Sequence, residues 1–286
     1  MRVVSLLPGA TEMVAALGRL ETLVGVTHEC DHPAEVRSRT RVTRRAEGVP
    51  LFEMLEEDIR ALRPDLILTQ ALCEVCAVVE SDVRALAARM EPVPTVVTCS
   101  ASSLDGVFED ILRVGAALGV PETADALVSG ARTRLLAVHE TLKAARAPRP
   151  RVAVIEWSDP TYTAGHWMPE MVRRAGGVDV LATPGAHSVK ITAEQVRAAD
   201  PDVLVIAPCG YDLARAVEEA ATLLAREEWG WARDRRVYAI DANAYTSRPG
   251  PRLVDGVEIL ARCFNEALFS ALDPQTAVQT AVRIRA

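Results

Sequence analysis

Two short stretches place thiol and imidazole groups at spacings that can hold a metal: His28-Glu29-Cys30-Asp31-His32 and Cys73-Glu74-Val75-Cys76. Thiolate and imidazole are the donors that zinc and softer metals prefer, and a C-x-x-C pair can grip a single ion. His28, Cys30, Cys73 and Cys76 are therefore the candidate metal ligands. Cys209 also follows an apolar run and joins them as a thiol available to a ligand. No second C-x-x-C completes a zinc ribbon, however, and buried cysteine is a common core residue. A thioredoxin-type pair would open a helix, whereas Cys73 trails a strand-like run. The thiols thus have two open readings, ligand contact and packing.

The second chemistry is stacking. Between Arg151 and Gly177 an apolar run gives way to a polar, aromatic loop and then to helical spacing that stops at Gly176-Gly177. That loop carries Glu156, Trp157, Tyr162, His166 and Trp167, where loops ordinarily avoid large aromatics. A flat, partly apolar ligand would find faces there, and ordinary packing at a lobe surface is the other open reading. Tyr245 and Arg248 lie in a later loop, NAYTSRPGPR, and Arg248 is suited either to an anionic ligand group or to a salt bridge within the fold. Trp229 and Trp231 fall in a helix-to-strand turn and read as packing. No G-x-S-x-G elbow, Walker loop or G-x-G-x-x-G is present, so the chain reads as a binder and not an enzyme.

The elements that must position these groups alternate between strand and helix. Arg2–Leu7 reads as a first strand, with a helix from about Thr11, its N-cap, to Leu17. Leu23–Thr27, Leu66–Thr69 and Thr95–Thr98 read as further strands, and Phe52–Leu62 and Ser81–Met90 as helices. From Ser103 helical spacing dominates, and Glu122–Arg146 is one long pattern spanning roughly 37 Å at 1.5 Å per residue. A second strand–helix series comes next, with strands at Arg151–Glu156, about Val203–Ile206 and Val237–Asp241, and a closing helix from Leu253 to about Leu268. LRPDLIL at 62–68 is echoed by ADPDVLVI at 199–206, each placing Pro-Asp between a helix and a strand. The expected fold is α/β, with two Rossmann-like lobes joined by one backbone helix. The expected boundaries are 1–120, 121–149 and 150–286. In such sheets ligands bind at the carboxyl ends of the strands.

Composition narrows the function. A hydrophobic content of 49% excludes disorder, and 32 basic against 39 acidic residues, net −7, leaves no footprint for nucleic acid. The arginine-rich stretch Arg37–Arg45 reads as a solvated loop. No apolar run is long enough for a membrane span. Met1 is followed almost at once by a strand, with no long apolar leader. As it stands the chain reads as cytoplasmic, or as extracytoplasmic if a leader has been removed. Six cysteines are too few for a disulfide scaffold at this length.

Taken together, SLLPGATEMVAALG, VGVTHECDHP, RPDLILTQ, LCEVCAV, EWSDPTYTAGHWMPEMVRRAGG and SRPGPRLVDGVEIL resemble the cobalamin-binding branch of the helical-backbone (class III) periplasmic substrate-binding proteins of ABC importers. The resemblance runs from about residue 2 to 268. It implies two lobes on a stiff helical strut, a small-molecule ligand held in the cleft between lobes, and a permease partner. It also implies that the cleft is lined by Pro8, Gly9 and Ala10; His28, Glu29, Cys30 and Asp31; Cys73, Glu74 and Cys76; Glu156 and Trp157; Gly165, His166 and Trp167; Cys209, Gly210 and Tyr211; and Tyr245 to Arg248. The implied ligand is cobalamin or a related corrinoid, with His28, His166 or a cysteine able to approach the cobalt. Haem, a siderophore or a bare metal ion are the alternatives within binding, and an enzyme acting on a corrinoid or through a cleft cysteine is the alternative outside it. The missing leader and the thiols set this chain apart from exported members and point to a cytoplasmic corrinoid handler or sensor, or to a repurposed relative.

Overall fold

A computed structural model describes residues 1–45, 52–71, 78–269 and 281–284. Their contacts divide the chain into two units, one of Met1–Ala101, Asp105–Gly130 and Pro249–Pro251, the other of Ser102–Leu104, Ala131–Arg248 and Arg252–Ala286.

In chain order the N-terminal half contains β1 (Val3–Ser5), α1 (Pro8–Ala16), β2 (Leu23–Val26), β3 (Thr40–Arg41), β4 (Thr43–Arg45), β5 (Phe52–Met54), α2 (Glu56–Leu62), β6 (Leu66–Gln70), α3 (Glu80–Ala87), β7 (Thr95–Cys99) and α4 (Leu104–Ala117). Its sheet has the order β3-β2-β1-β6-β7 and is parallel throughout. A parallel sheet is covered on both faces, so its central strands read as unbroken apolar runs. All of β1 is buried, as are Leu66–Thr69 of β6. Val4, Leu6, Ile59, Ile67, Val83 and Leu86 form the core on one side. Each such side chain, fully buried, contributes roughly 1.5–3 kcal/mol.

Then comes α5 (Pro121–Ala144), whose 24 residues continue from the first unit into the second. Proline at its first position suits a helix start, where the N–H has no partner to lose. Ala124, Val128, Leu135 and Val138 are its buried residues, spaced to form one stripe.

The C-terminal half contains β8 (Arg151–Ser158), β9 (Thr161–Thr163), α6 (Met168–Arg174), β10 (Val178–Asp179), α7 (Ala193–Ala198), β11 (Val203–Ile206), α8 (Leu213–Ala225), β12 (Arg236–Ile240), α9 (Ala242–Tyr245), α10 (Leu253–Phe264) and β13 (Ala281–Ile284). The order is β10-β8-β11-β12-β13, parallel except for β13, with β9 antiparallel on β8. Ile155, Leu204, Ile206, Leu223 and Trp229 lie in its core. Trp231 stacks on Trp229 at 6.0 Å, so both tryptophans of this turn pack against the fold.

The Pro-Asp echo has a structural meaning. Asp65 accepts the backbone N–H of Arg2 at 2.7 Å, and Asp202 accepts that of Arg151 at 2.8 Å. Arg2 also reaches the carbonyl of Leu62 at the end of α2, as Arg151 reaches those of Ala199 and Asp200 after α7. Basic groups at a helix carboxyl end satisfy carbonyls left without intrahelical partners. Even the left-handed turn residues correspond, Arg63 at φ 46° and Asp200 at φ 44°.

Several elements differ from the sequence reading. Helix α1 begins at Pro8, not Thr11, with Leu7 at the N-cap; Pro8-Gly9, which resembles a turn, forms its first turn. Phe52–Met54 has helical spacing but pairs antiparallel with Thr43–Arg45, because a partner strand outweighs local pattern. Helix α2 therefore starts only at Glu56. Arg41, Arg44 and Arg45, expected in a loop, belong to β3 and β4. Strand β13 lies beyond the last element expected, and α10 stops at Phe264.

Candidate ligand-binding site

Strands β8, β11 and β12 are neighbours and parallel, so the loops at their carboxyl ends emerge at one edge of the second unit's sheet. The loop after β11 is Pro208–Tyr211, closed by a bond from Tyr211 N–H to the carbonyl of Pro208 at 3.0 Å. Gly210 there takes φ 75°, a conformation that glycine adopts without strain. Asp212 then caps α8 by accepting the N–H of Arg215 at 2.9 Å. The loops bind each other. Cys209 N–H donates to the carbonyl of Glu156 at 3.1 Å, Asn243 N–H to that of Tyr211 at 2.9 Å, and Gly210 N–H to Ser247 Oγ at 3.3 Å.

On this frame Trp157, at the end of β8, meets Tyr211 edge-on, with ring centroids 5.6 Å apart and planes at 73°. The guanidinium of Arg215 lies 3.9 Å from the centre of the Tyr211 ring. Trp157 is 38% exposed, which leaves an apolar face open beside a polarised phenol. Trp167 is different. It is 6% exposed and its indole N–H donates to the carbonyl of Thr246 at 2.7 Å, so it belongs to the core and is not an open wall. Arg248 is likewise buried, and its guanidinium donates to Asn243 Oδ1 at 2.7 Å. Tyr245 ends α9 with Arg252 5.7 Å from its ring.

Beside Trp157, Ser188 Oγ donates to Glu156. Gly165 is buried against the same segment, and His166 Nε2 lies 3.2 Å from His187 Nδ1. Burial first, and His187 second, hold the pKa of His166 below the usual histidine value. Neither Ser188 nor His187 belongs to the expected set. A histidine among alanine, glycine and serine gives no periodic signal, although its distance of 21 residues from His166 is bridged by a backbone bond from Thr163 N–H to the carbonyl of Val189 and by the bridge of Tyr162 with Lys190.

In the first unit the loops after β1 and β2 are neighbours on the same principle. Gly9 is required because a Cβ would stand 2.4 Å from the carbonyl oxygen of Pro249. His28 N–H donates to Thr43 Oγ1 at 3.1 Å, its Nδ1 lies 2.8 Å from the same oxygen, and its ring packs on Phe52 at 4.6 Å. Burial, then Arg45 and Arg41, lower its pKa against the opposing effect of Glu29.

The thiols divide cleanly. Cys30 is 1% exposed, with Sγ 3.1 Å from the hydroxyls of both Thr11 and Thr27, and Cys99 and Cys263 are also buried. Cys209 is exposed. Among the described residues no group of three or more His, Cys, Asp or Glu side chains is placed to hold a metal ion. The Cys30 thiol is engaged by two buried hydroxyls, and His28 and Cys30 by themselves form no such group. Cys73, Glu74 and Cys76 lie outside the described residues.

Residues 3–244 match the Periplasmic binding protein family. The chain belongs to it. Within that family it is 31% identical over 272 residues to an uncharacterized ABC transporter substrate-binding lipoprotein, YvrC, of Bacillus subtilis, covering 91% of this chain and 78% of the relative. It is 25% identical over 258 residues to the vitamin B12-binding protein of Vibrio cholerae, covering 90% and 86%. A crystal structure of a periplasmic heme binding protein from Pseudomonas aeruginosa superposes with a TM-score of 0.77 at 26% identity, covering 93% of each chain. The helical-backbone, two-lobe class expected from sequence is thereby found. The cytoplasmic reading finds no support among these relatives of the family. Among the described residues no helix is long and apolar enough to cross a membrane.

Proposed function

We propose that this family member is the non-catalytic substrate-binding component of an ABC importer, working outside the cytoplasm with a permease, and that its ligand is a corrinoid of the cobalamin type. The observation that carries the reading is the half-open Trp157 set edge-on to Tyr211, on loops cross-linked at the carboxyl edge of the sheet. A corrinoid is a broad amphipathic ring fringed with neutral amides. It is matched by an aromatic face and by the polar groups around it, Glu156, Ser188, Asn243 and Cys209. Pro8, Gly9, Ala10, His28 and Glu29 are the contact set we assign to the first unit. The names of the vitamin B12-binding relatives support the same ligand.

A second reading, haem, is favoured by the solved heme-binding structures, one of them 28% identical with a TM-score of 0.74. Haem differs chemically in carrying carboxylates, which would draw on Arg215. Calorimetric titration of the purified chain with cyanocobalamin and, in parallel, with haemin and zinc tests both. Saturable binding of cyanocobalamin is the expected result. Binding of haemin alone transfers the function to the second reading, and tight zinc binding without either macrocycle removes both. Cyanocobalamin recovered chemically unchanged after long incubation agrees with a binder, and turnover contradicts it.

A further inference from the structure

The stretch 185–188 is held against the site with unusual closeness. His166 stands at φ 53°, a left-handed conformation that is costly outside glycine and is tolerated where surrounding structure enforces it. Here the enforcement is a pair of backbone bonds: His166 N–H donates to the carbonyl of Ala186 at 2.7 Å, and its own carbonyl accepts Gly185 N–H at 2.9 Å. Gly165 permits the approach, since a Cβ there would stand 2.5 Å from Ser188 N and 2.7 Å from Ala186 O. Ser188 then ties the segment to Glu156, the neighbour of Trp157. Within this frame the two imidazoles meet at 3.2 Å with planes 88° apart.

A bond between two neutral imidazoles uses one N–H and one lone pair. When His187 Nδ1–H donates to His166 Nε2, the proton of His187 is fixed on Nδ1 and its Nε2 carries a lone pair. His187 is exposed, and His166 is its one polar partner among the described residues. This is the way metal-ligating histidines are held, with the second ring nitrogen donating to a fixed acceptor that sets tautomer and orientation. Two imidazoles without a third donor do not suffice for a bare ion, and no third is placed with them among the described residues. A metal already carried in a macrocycle needs only one.

We propose that His187, oriented by His166, presents Nε2 as the axial nitrogen ligand to the metal at the centre of the bound macrocycle. The inference rests on the proposed binding of such a macrocycle. With aquacobalamin, the bond from cobalt(III) to water breaks and water leaves with its electron pair. The lone pair of Nε2 forms the new cobalt–nitrogen bond, and no oxidation state changes. His166 is the positioning residue.

The test compares aquacobalamin, whose water exchanges, with cyanocobalamin, whose cyanide does not. Calorimetry reads binding and the visible bands read coordination. The wild-type chain is expected to shift the bands of aquacobalamin alone and to hold it at least about tenfold more tightly than cyanocobalamin. H187A is expected to bind both equally, without a shift. H166N, in which asparagine tolerates the left-handed backbone, is expected to keep binding but lose part of the shift and of the preference. If haemin is the ligand that binds, the same variants are compared on its Soret band. Saturable binding with unshifted bands, a shift retained in H187A, or a full shift in H166N overturns the assignment and leaves the proposed function standing. Absence of saturable binding by either corrinoid and by haemin overturns the proposed function and the assignment with it.

Discussion

Trp157 and Tyr211 meet edge to face across two loops that are 54 residues apart in sequence, their centroids 5.6 Å apart, while Trp167, ten residues from Trp157, is turned inward. The two tryptophans of one loop therefore predict opposite outcomes. W157A is expected to weaken ligand binding by about 1–2 kcal/mol, roughly 5- to 30-fold, with little change in melting temperature. W167A removes a buried ring and a satisfied indole, and is expected to cost about 3–5 kcal/mol of stability. Calorimetric titration and urea unfolding of both variants check the contrast, and equal effects in both assays would contradict it.

Thiol reactivity follows exposure. Burial pushes the Cys99 and Cys263 thiols up to about 12, where the reactive thiolate is scarce at neutral pH. Cys30 is enclosed between two hydroxyls. Of Cys30, Cys99, Cys209 and Cys263, brief treatment of the native protein with iodoacetamide is expected to modify Cys209 first, as peptide mass spectrometry will show. Protection of Cys209 by bound ligand would place it in contact.

Asp179 gives the fold a pH dependence. Its Oδ1 accepts N–H groups from Leu181 and Ala182, but Oδ2 is enclosed without a hydrogen-bond partner among the described residues. Burial outweighs the two bonds and pushes its carboxyl up to about 6. Between an ordinary value near 4 and that value, the folded chain holds a proton that the unfolded chain has released. Stability from this group is thus complete below about pH 4, falls as pH rises through the window, and is lost above about 6, a change of up to about 3 kcal/mol. D179N does not titrate. Its urea midpoint relative to wild type is expected to improve steadily from pH 4 to 7, and a constant difference would refute the assignment.

Glycines 130 and 256 are expected to respond in opposite directions to alanine. A Cβ at Gly130, inside α5, meets nothing within 4 Å, so G130A should stabilise by about 0.5–1 kcal/mol through helix propensity. At Gly256 a Cβ would stand 2.2 Å from the carbonyl oxygen of Tyr245 and 2.6 Å from Met171. G256A should destabilise by at least about 1–3 kcal/mol and move α9, where Tyr245 lies. Thermal unfolding of the pair decides.

Much of the frame is legible in sequence because its signals are local. Val3–Ser5, Leu66–Gln70 and Val203–Ile206 are apolar runs that only a covered parallel sheet accommodates, and Pro121 to Ala144 keeps one buried stripe. Trp157 and Tyr211 can be named from composition, but their contact depends on the adjacency of β8 and β11, which no spacing encodes. The same limit explains Phe52, whose strand partner is Arg45, and His187, which gains meaning only from the turn of His166. Trp167 and Cys30 depart in the other direction, because loop position says nothing of which way a side chain points.

Arg2 with Asp65 and Arg151 with Asp202 fasten the beginnings of β1 and β8 in the same manner. Tolerance to substitution is therefore unequal along these two strands. The entry of each answers to an acid and a helix end at once, whereas the loop at its exit is joined to neighbouring loops by a few exchangeable contacts. A lineage built on this plan can change its cargo by rewriting the exit loops while copying the entry clasps unaltered.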